Sequence, residues 1–335
     1  MRPFIFAVII ALCTSTNLVL AQQRIVVSAP GPRNISYLPV DLIPAIGADQ
    51  EEGVTLQILH TGGGGVALNN LMTRNADFAV AGFPAAMSLK SNGGDVVGIA
   101  AVNDAPLFVL MVRSALKDKV KRIADLKGKT IGVNTSTKHS KTTSQQLAEL
   151  LLKSDGIGLD MVRIVPAGQS WVEQSSLLIT GTADAVMGDE PFASRLAADK
   201  QVFFLAHLGN PATTKKIPGA DFLHATLEAR GDTLANEPQK VEKMVRMLTR
   251  SLQWIAQHSP DELVARLKIE DAEERDALLR ALKQYPRAFS KDGKFSTAQL
   301  KSTEQFFHAT NADNPQALTI KVESIINDRW AGRKK

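Results

Sequence analysis

Short apolar runs rich in Val, Ile and Leu alternate with stretches of helical periodicity over the first two thirds of the chain. Arg24–Ala29, Val54–His60, Phe78–Gly82 and Val96–Val102 form a first series of expected strands, with helical patterns in the gaps. Thr130–Asn134, Met161–Val165, Ala185–Met187 and Val202–Leu205 form a second. Near-continuous apolar strands separated by helices predict an α/β protein with parallel or mixed sheets covered on both faces, and two series predict two sheets.

The series echo one another. Ala76-Asp77-Phe78-Ala79-Val80-Ala81-Gly82 is matched by Ala183-Asp184-Ala185-Val186-Met187-Gly188, and each copy follows a helix and precedes a proline, Pro84 or Pro191. Such an echo predicts equivalent helix-to-strand steps in two similarly built lobes. Two extended apolar stretches, Pro106–Arg113 and Phe222–Arg230, read as the crossings between lobes, which makes the second lobe an insertion. The expected division is residues 22–112 plus 223–335 for lobe one and its C-terminal helices, and 113–222 for lobe two.

Beyond the second crossing the period becomes helical. Val241, Met244, Val245, Leu248, Leu252 and Ile255 recur at steps of three and four between Glu237 and Ser259, with Pro238 in the first turn and Pro260 as a stop. Helical patterns at Asp271–Tyr285, Thr297–Thr310 and Ile320–Trp330 complete a helical C-terminal region.

The N-terminus changes the picture. Arg2 precedes an apolar run from Pro3 to Leu12, followed by a polar break and the small-residue exit Val19-Leu20-Ala21. This is the layout of a secretory signal, and the run is only about half of the roughly 20 residues a membrane span needs. Cleavage after Ala21 is expected, giving a periplasmic protein. Lipid modification of Cys13 is disfavoured because Leu12 precedes it. Cleavage removes the only cysteine, so disulfide and thiolate chemistry are not expected. Removing 21 of 335 residues leaves 314, a size that suits two domains.

Lys and Arg total 39 against 34 Asp and Glu, a formal charge of +5. The most basic stretch, Arg113–Lys129, is broken by Asp118 and Asp125 and has no interleaved aromatics. It reads as a solvated surface, and no nucleic-acid partner is expected.

Candidate chemistry is sparse. Gly62, Gly63, Gly64 and Gly65 follow a strand and precede a helix, and formally Gly62, Gly64 and Ala67 fit a dinucleotide fingerprint. The turn follows the second strand, however, and no acidic residue ends the next one, so a bare backbone turn facing a ligand is the functional reading, beside a merely flexible turn. In the second series, Ser136 or Thr137 is expected to cap the helix after Asn134 and present donors to a cleft, with Ser140 nearby. No GxSxG elbow or SxxK motif supports hydrolysis there. The six histidines, His60, His139, His207, His224, His258 and His308, are scattered singly, so no metal site is expected. Asp189 and Glu190 end an echoed strand, where they could meet an ammonium group or cap the helix beginning at Pro191.

Four stretches together resemble the ABC-transporter substrate-binding proteins of the nitrate, sulfonate and taurine branch, a family that also includes pyrimidine-precursor binders. They are Ser36-Tyr37-Leu38-Pro39 running to Glu52-Gly53-Val54; the Gly62–Gly65 turn followed by Asn75-Ala76-Asp77-Phe78-Ala79; Asp125-Leu126-Lys127-Gly128-Lys129-Thr130-Ile131-Gly132-Val133; and Ala183-Asp184-Ala185 leading to Glu190-Pro191. The resemblance spans most of residues 22–260 and implies a two-lobed type II periplasmic binding protein fold. It further implies a monomeric receptor that delivers a small molecule to an ABC permease, with no cofactor. Two departures stand on the expected cleft wall: Thr135-Ser136-Thr137 replaces the usual Gly-Ser-Thr, and four glycines stand where one or two are usual. The cysteine-rich motif of the family's pyrimidine-synthesising enzymes is absent. A periplasmic enzyme on the same fold and a solute sensor for a membrane kinase are the alternatives.

The expected solute is a small organic anion of sulfonate or carboxylate type, held by helix N-termini rather than by a lysine. Its expected contacts are Ser36, Tyr37, Gly62–Gly65, Gly82, Phe83, Ser136, Thr137 and Ser140. Trp171 adds an apolar wall, and Asp189 and Glu190 lie beside it.

Overall fold

A computed structural model describes residues 22–334, residue 216 excepted. The expected signal segment, with Cys13, lies outside the described residues.

Two five-stranded sheets carry the fold. The first is built from β1 (Gln23–Pro30), β2 (Val54–Thr61), β3 (Phe78–Gly82), β4 (Val96–Asn103) and, after the chain returns, β10 (Ala225–Arg230). The second holds β5 (Phe108–Arg113), β6 (Thr130–Val133), β7 (Arg163–Pro166), β8 (Ala185–Asp189) and β9 (Val202–His207). Their orders are β2-β1-β3-β10-β4 and β7-β6-β8-β5-β9. In each, the first three strands are parallel and the fourth runs antiparallel to both neighbours. All eight predicted strands are present.

The two apolar stretches expected as crossings are strands. Phe108–Arg113 and Ala225–Arg230 are the antiparallel fourth strands of their sheets, and the chain changes sheet in the segments before them, 104–107 and 208–224. Antiparallel insertion between two covered strands explains why Phe108–Val112 and all of Ala225–Arg230 are buried.

The sequence echo has a physical cause. Asp77 accepts the Val26 amide at 2.8 Å, and its own amide donates to the Val26 carbonyl at 2.8 Å. Asp184 does the same with Thr130, at 3.1 and 2.8 Å. Each carboxylate thus fixes β3 or β8 to the strand beside it, and each has a basic partner, Lys240 at 3.0 Å or Arg113 at 3.0 Å.

Sheet one is packed on one face by the helix Pro238–Gln257, whose Val241, Met244, Val245 and Leu248 are buried against Ile25, Val27, Val80 and Leu227. On its other face lie Gly64–Met72 and Phe83–Ser91, with Leu68, Leu71 and Phe83. Sheet two is covered by Thr143–Ser154 on one face and by Trp171–Ile179 and Phe192–Ala198 on the other. The helices Ala272–Gln284 and Thr297–Thr310 form as the periodicity predicts. The helix expected over Ile320–Trp330 is reduced to a 3-10 turn, Val322–Ile325. There the chain is pulled straight along β4, with the Asn327 amide donating to the Gly98 carbonyl at 2.8 Å.

Candidate functional site

Four strands of each sheet, all but the antiparallel β10 and β5, point their C-terminal ends toward a common seam, which is closed. Gly63 enters its helix in an extended conformation, and a Cβ there would lie 2.6 Å from the Thr135 carbonyl oxygen and 2.7 Å from its nitrogen. A Cβ on Gly65 would lie 2.8 Å from the Ser140 carbonyl oxygen. The Thr135 amide donates to the Gly62 carbonyl at 3.0 Å, and Ser140 Oγ donates to the Ala85 carbonyl at 2.9 Å. The glycine run is therefore neither a phosphate cradle nor a slack turn. It lets one lobe's backbone seat against the other's.

Ser136 and Thr137 do not cap a helix. The helix starts at Thr143 and is capped by Thr142, while Ser136 braces the loop through Thr142 at 3.2 Å and Gln145 at 2.6 Å. The reason is local: Thr137 and Ser140 close a turn on each other, with the Thr137 amide donating to the Ser140 carbonyl and the Ser140 amide donating to Thr137 Oγ1. That turn delays the helix by several residues.

Behind this seal lies a polar cluster without access to solvent. Asp189, at the end of β8, is fully buried. Asn34 Nδ2, from the loop after β1, donates to its Oδ2 at 2.8 Å, and Gln169 Nε2 donates to the same oxygen at 2.5 Å. Gln174 Nε2 reaches Oδ1 at 3.4 Å and Asn134 Oδ1 at 3.5 Å. Burial pushes the carboxyl up to about 6, opposed by these amide donors. Asn34 Oδ1 also accepts the Ser36 amide at 2.9 Å, which sets the approach to the helix Leu38–Ala45. Tyr37 lies against Gln169, and burial raises its hydroxyl above the ordinary tyrosine value.

His224 completes the floor. Its backbone is pinned between the sheet-one strands, donating to Asn103 at 3.2 Å and accepting the Phe83 amide at 2.7 Å. The ring stands edge-on to Phe108 at 4.9 Å and 6.1 Å from Tyr37. It is fully buried, and burial pulls its pKa down to about 3, so it is neutral at pH 7. Gly82 brings the backbone up to Thr143 and His224: a Cβ there would collide with the Thr143 side chain.

Ser36 Oγ, Thr143 Oγ1, Gln169 Oε1 and both ring nitrogens of His224 are buried without a hydrogen-bond partner. Buried polar atoms are normally paired, and each unpaired one costs about 1–3 kcal/mol. With Gln174 Oε1 of the same cluster, six such atoms gather where residues of the two sheets meet. By contrast, the open groove of about 540 Å³ walled by Leu252, Ile255, Leu263 and Phe289 draws no lining residue from sheet two.

Of the residues singled out in the sequence, Ser36, Tyr37, Gly82 and Asp189 thus meet at the cluster. Gly62–Gly65, Ser136, Thr137 and Ser140 form the seal. Phe83 is fully buried in the lobe-one core. Trp171 is covered by the Arg195 guanidinium, 3.9 Å from its ring centre, and packs on the outer face of sheet two. Glu190 turns away from Asp189 to accept the Ser194 amide at 3.0 Å and hydroxyl at 2.8 Å at the start of Phe192–Ala198. Asn34, Asn134, Thr143, Gln169, Gln174 and His224 were not anticipated. Only His224 carried a signal, as the one polar residue in Phe222-Leu223-His224-Ala225.

Among the described residues no group of three or more His, Cys, Asp or Glu side chains is placed to hold a metal ion, and no helix is long and apolar enough to cross a membrane.

Residues 50–262 match the family described as NMT1/THI5 like. No curated protein matches the sequence. Among solved structures, a protein from Bordetella bronchiseptica RB50 is similar over 93% of this chain and 96% of its own, with 20% identity and a TM-score of 0.82. The alkanesulfonate-binding protein SsuA from Xanthomonas axonopodis pv. citri, bound to MOPS, shares 16% identity over 91% of this chain and 98% of its own, TM-score 0.71. The periplasmic nitrate-binding protein NrtA from Synechocystis PCC 6803 shares 11% identity over 91% and 86%, TM-score 0.68. The fold is that of the periplasmic binding proteins, and the SsuA and NrtA neighbours are described as binding proteins.

Proposed function

The chain belongs to the NMT1/THI5-like family, and from that premise we propose that it is an exported receptor whose two lobes close over one small polar solute and hand it to an ABC permease. The observation that carries this reading is the set of six partnerless buried polar atoms, contributed by Ser36 and His224 from one lobe and by Thr143, Gln169 and Gln174 from the other. A rigid protein gains nothing from burying them. A closing receptor shares the solute's binding energy between lobes only when shut.

Lobe one is then the chain up to β4 and from β10 onward, and lobe two runs from β5 to β9. The two crossings, 104–107 and 208–224, act as the hinge. The cluster offers no nucleophile paired with a base, which favours binding over catalysis on the same fold. Export by the N-terminal segment, and action as a monomer, belong to the same proposal.

The organic-anion class expected from the sequence rested on donors at Ser36 and Tyr37, at the Gly62–Gly65 turn, at Gly82-Phe83 and at Ser136-Thr137. The Thr135, Thr137 and Phe83 amides are spent on Gly62, Ser140 and His224. Sulfonate or carboxylate binding would therefore have to rely on the amides of the Gly62–Gly65 turn at the start of Gly64–Met72 and on the side chains of the cluster. Native mass spectrometry of the chain purified without denaturant tests the receptor reading. A single retained solute, lost on unfolding and regained from a low-molecular-weight extract, is expected; a chain that retains nothing and takes up nothing contradicts it.

A further inference from the structure

We infer that the solute carries N–H donors and no net negative charge, and that Asp189 is the residue that enforces this selection. The inference rests on the receptor reading and names the chemistry of its site. It begins with what surrounds Asp189. The side chain is fully buried, and among the described residues its partners are the amides of Asn34, Gln169, Gln174 and Asn134, with no Lys or Arg bridged to it. A second buried carboxylate, Glu190, is its chain neighbour. His224 is uncharged and brings no compensating cation.

The amides also fix which polarity faces the solute. An amide that donates its NH2 to a carboxylate must turn its carbonyl oxygen the other way, and a flip would aim that oxygen at the carboxylate. Gln169 Oε1 is accordingly left buried with no partner. It can only accept, so a donor on the solute would complete it. The Ser36 and Thr143 hydroxyls and the His224 ring adapt to either role, so they discriminate little.

A nitrate, sulfonate or carboxylate in the same closed space would place like charges together in a low-dielectric interior. The starts of the helices Leu38–Ala45 and Thr143–Ser154 offer partial positive charge, about half a unit each, which Asp189 already opposes. The rings of Tyr37 and Phe108, tilted by 50° and 85° to that of His224, give the floor an aromatic lining. An amide, an amino-heterocycle or a protonated amine satisfies all of these constraints.

The test uses shape-matched pairs on the full mature chain by calorimetry: nicotinamide against nicotinate, urea against nitrate, and ethylamine against ethanesulfonate. The expected result is that a donor member binds and its anionic twin binds at least 100-fold more weakly. Asp189→Asn, after its cooperative melt is verified, should weaken the donor member at least tenfold and narrow the gap within the pair. Were that variant not to fold, the wild-type pairs decide alone. An anionic twin that binds as tightly as its donor partner overturns the inference, and so does donor binding unchanged in Asp189→Asn. Binding by no pair also overturns it. The receptor reading falls separately, only when a low-molecular-weight extract also fails to load the protein.

Discussion

The amide of Thr135, in the loop after β6, donates at 3.0 Å to the carbonyl of Gly62, at the end of β2, so the two lobes are joined backbone to backbone. That approach requires a residue without a side chain at the next position. A methyl on Gly63 would lie 2.6 Å from the Thr135 carbonyl oxygen, closer than a Cβ can come. Since the obstacle belongs to the other lobe, Gly63→Ala should leave each lobe folded, with a melting temperature of the solute-free protein close to wild type. Solute affinity should fall by at least about tenfold, equivalent to about 1.4 kcal/mol. Calorimetry and a thermal melt on the same preparation check this; undiminished affinity would mean that the seal is not needed for binding.

His224 offers a contrasting case, because its polar atoms harm the empty protein. His224→Leu replaces two partnerless ring nitrogens with a side chain of similar size. We predict unchanged or higher stability without solute, by up to about 2 kcal/mol. Affinity should fall by about tenfold. Denaturant melts and titrations separate the two effects, and a large stability loss with normal affinity would make the histidine a purely structural residue.

These residues also mark how much the sequence disclosed. Strands such as Val54–Thr61 and Phe78–Gly82 are legible because an unbroken apolar run between helices has few other uses. The Asp77–Asp184 echo is legible for a stronger reason, since both carboxylates perform the same strand-fixing job. The fourth strands were recognisable as extended stretches, yet their insertion between sheet neighbours depends on pairing partners far away in the chain, such as Ala225 with Gly82 and Phe108 with Asp189. Asp189 and Tyr37 could be found because they flank helix starts. Gln169, Thr143 and His224 could not, since each is a lone polar residue whose meaning comes only from the lobes meeting. The glycine run drew attention for the wrong physics: four residues without side chains served close packing, where free donors had been expected.

Asp189 makes stability depend on pH in a defined direction. Burial raises its folded-state value to about 6 from the ordinary 3.8, so between those limits the folded chain holds more protons than the unfolded one. Stability from this group is therefore fullest at low pH and declines as pH rises from about 4 to about 6, with a loss of up to about 3 kcal/mol complete above that. Asp41, which burial pushes up to about 7, adds a decline of the same sign. Asp189→Asn should exceed wild type in solute-free stability at pH 7.5 and match it near pH 4. Denaturant melts across this range check the prediction; a difference independent of pH would contradict it.

A clasp on the far side of the seam joins Tyr285, which follows the helix Ala272–Gln284, to His207 at the end of β9, with the hydroxyl 2.8 Å from Nε2. Tyr285→Phe removes one partly buried hydrogen bond that exists only while the lobes are shut. The expected cost is about 1 kcal/mol, a fivefold loss of affinity expressed as faster solute release. The nearby Arg195–Glu273 pair, with Glu273 exposed, should contribute less. Stopped-flow release rates check this: an unchanged rate in Tyr285→Phe would show that the clasp does not restrain opening.

Closure itself is the central claim, and small-angle X-ray scattering of the mature chain measures it directly. The protein, freed of solute by unfolding and refolding, should show a larger radius of gyration than the structure described here. It should contract to that structure's profile on saturation with the solute that calorimetry identifies, and Gly63→Ala should fail to contract. A refolded, solute-free chain that already matches the closed profile, and does not change at saturation, would contradict the account.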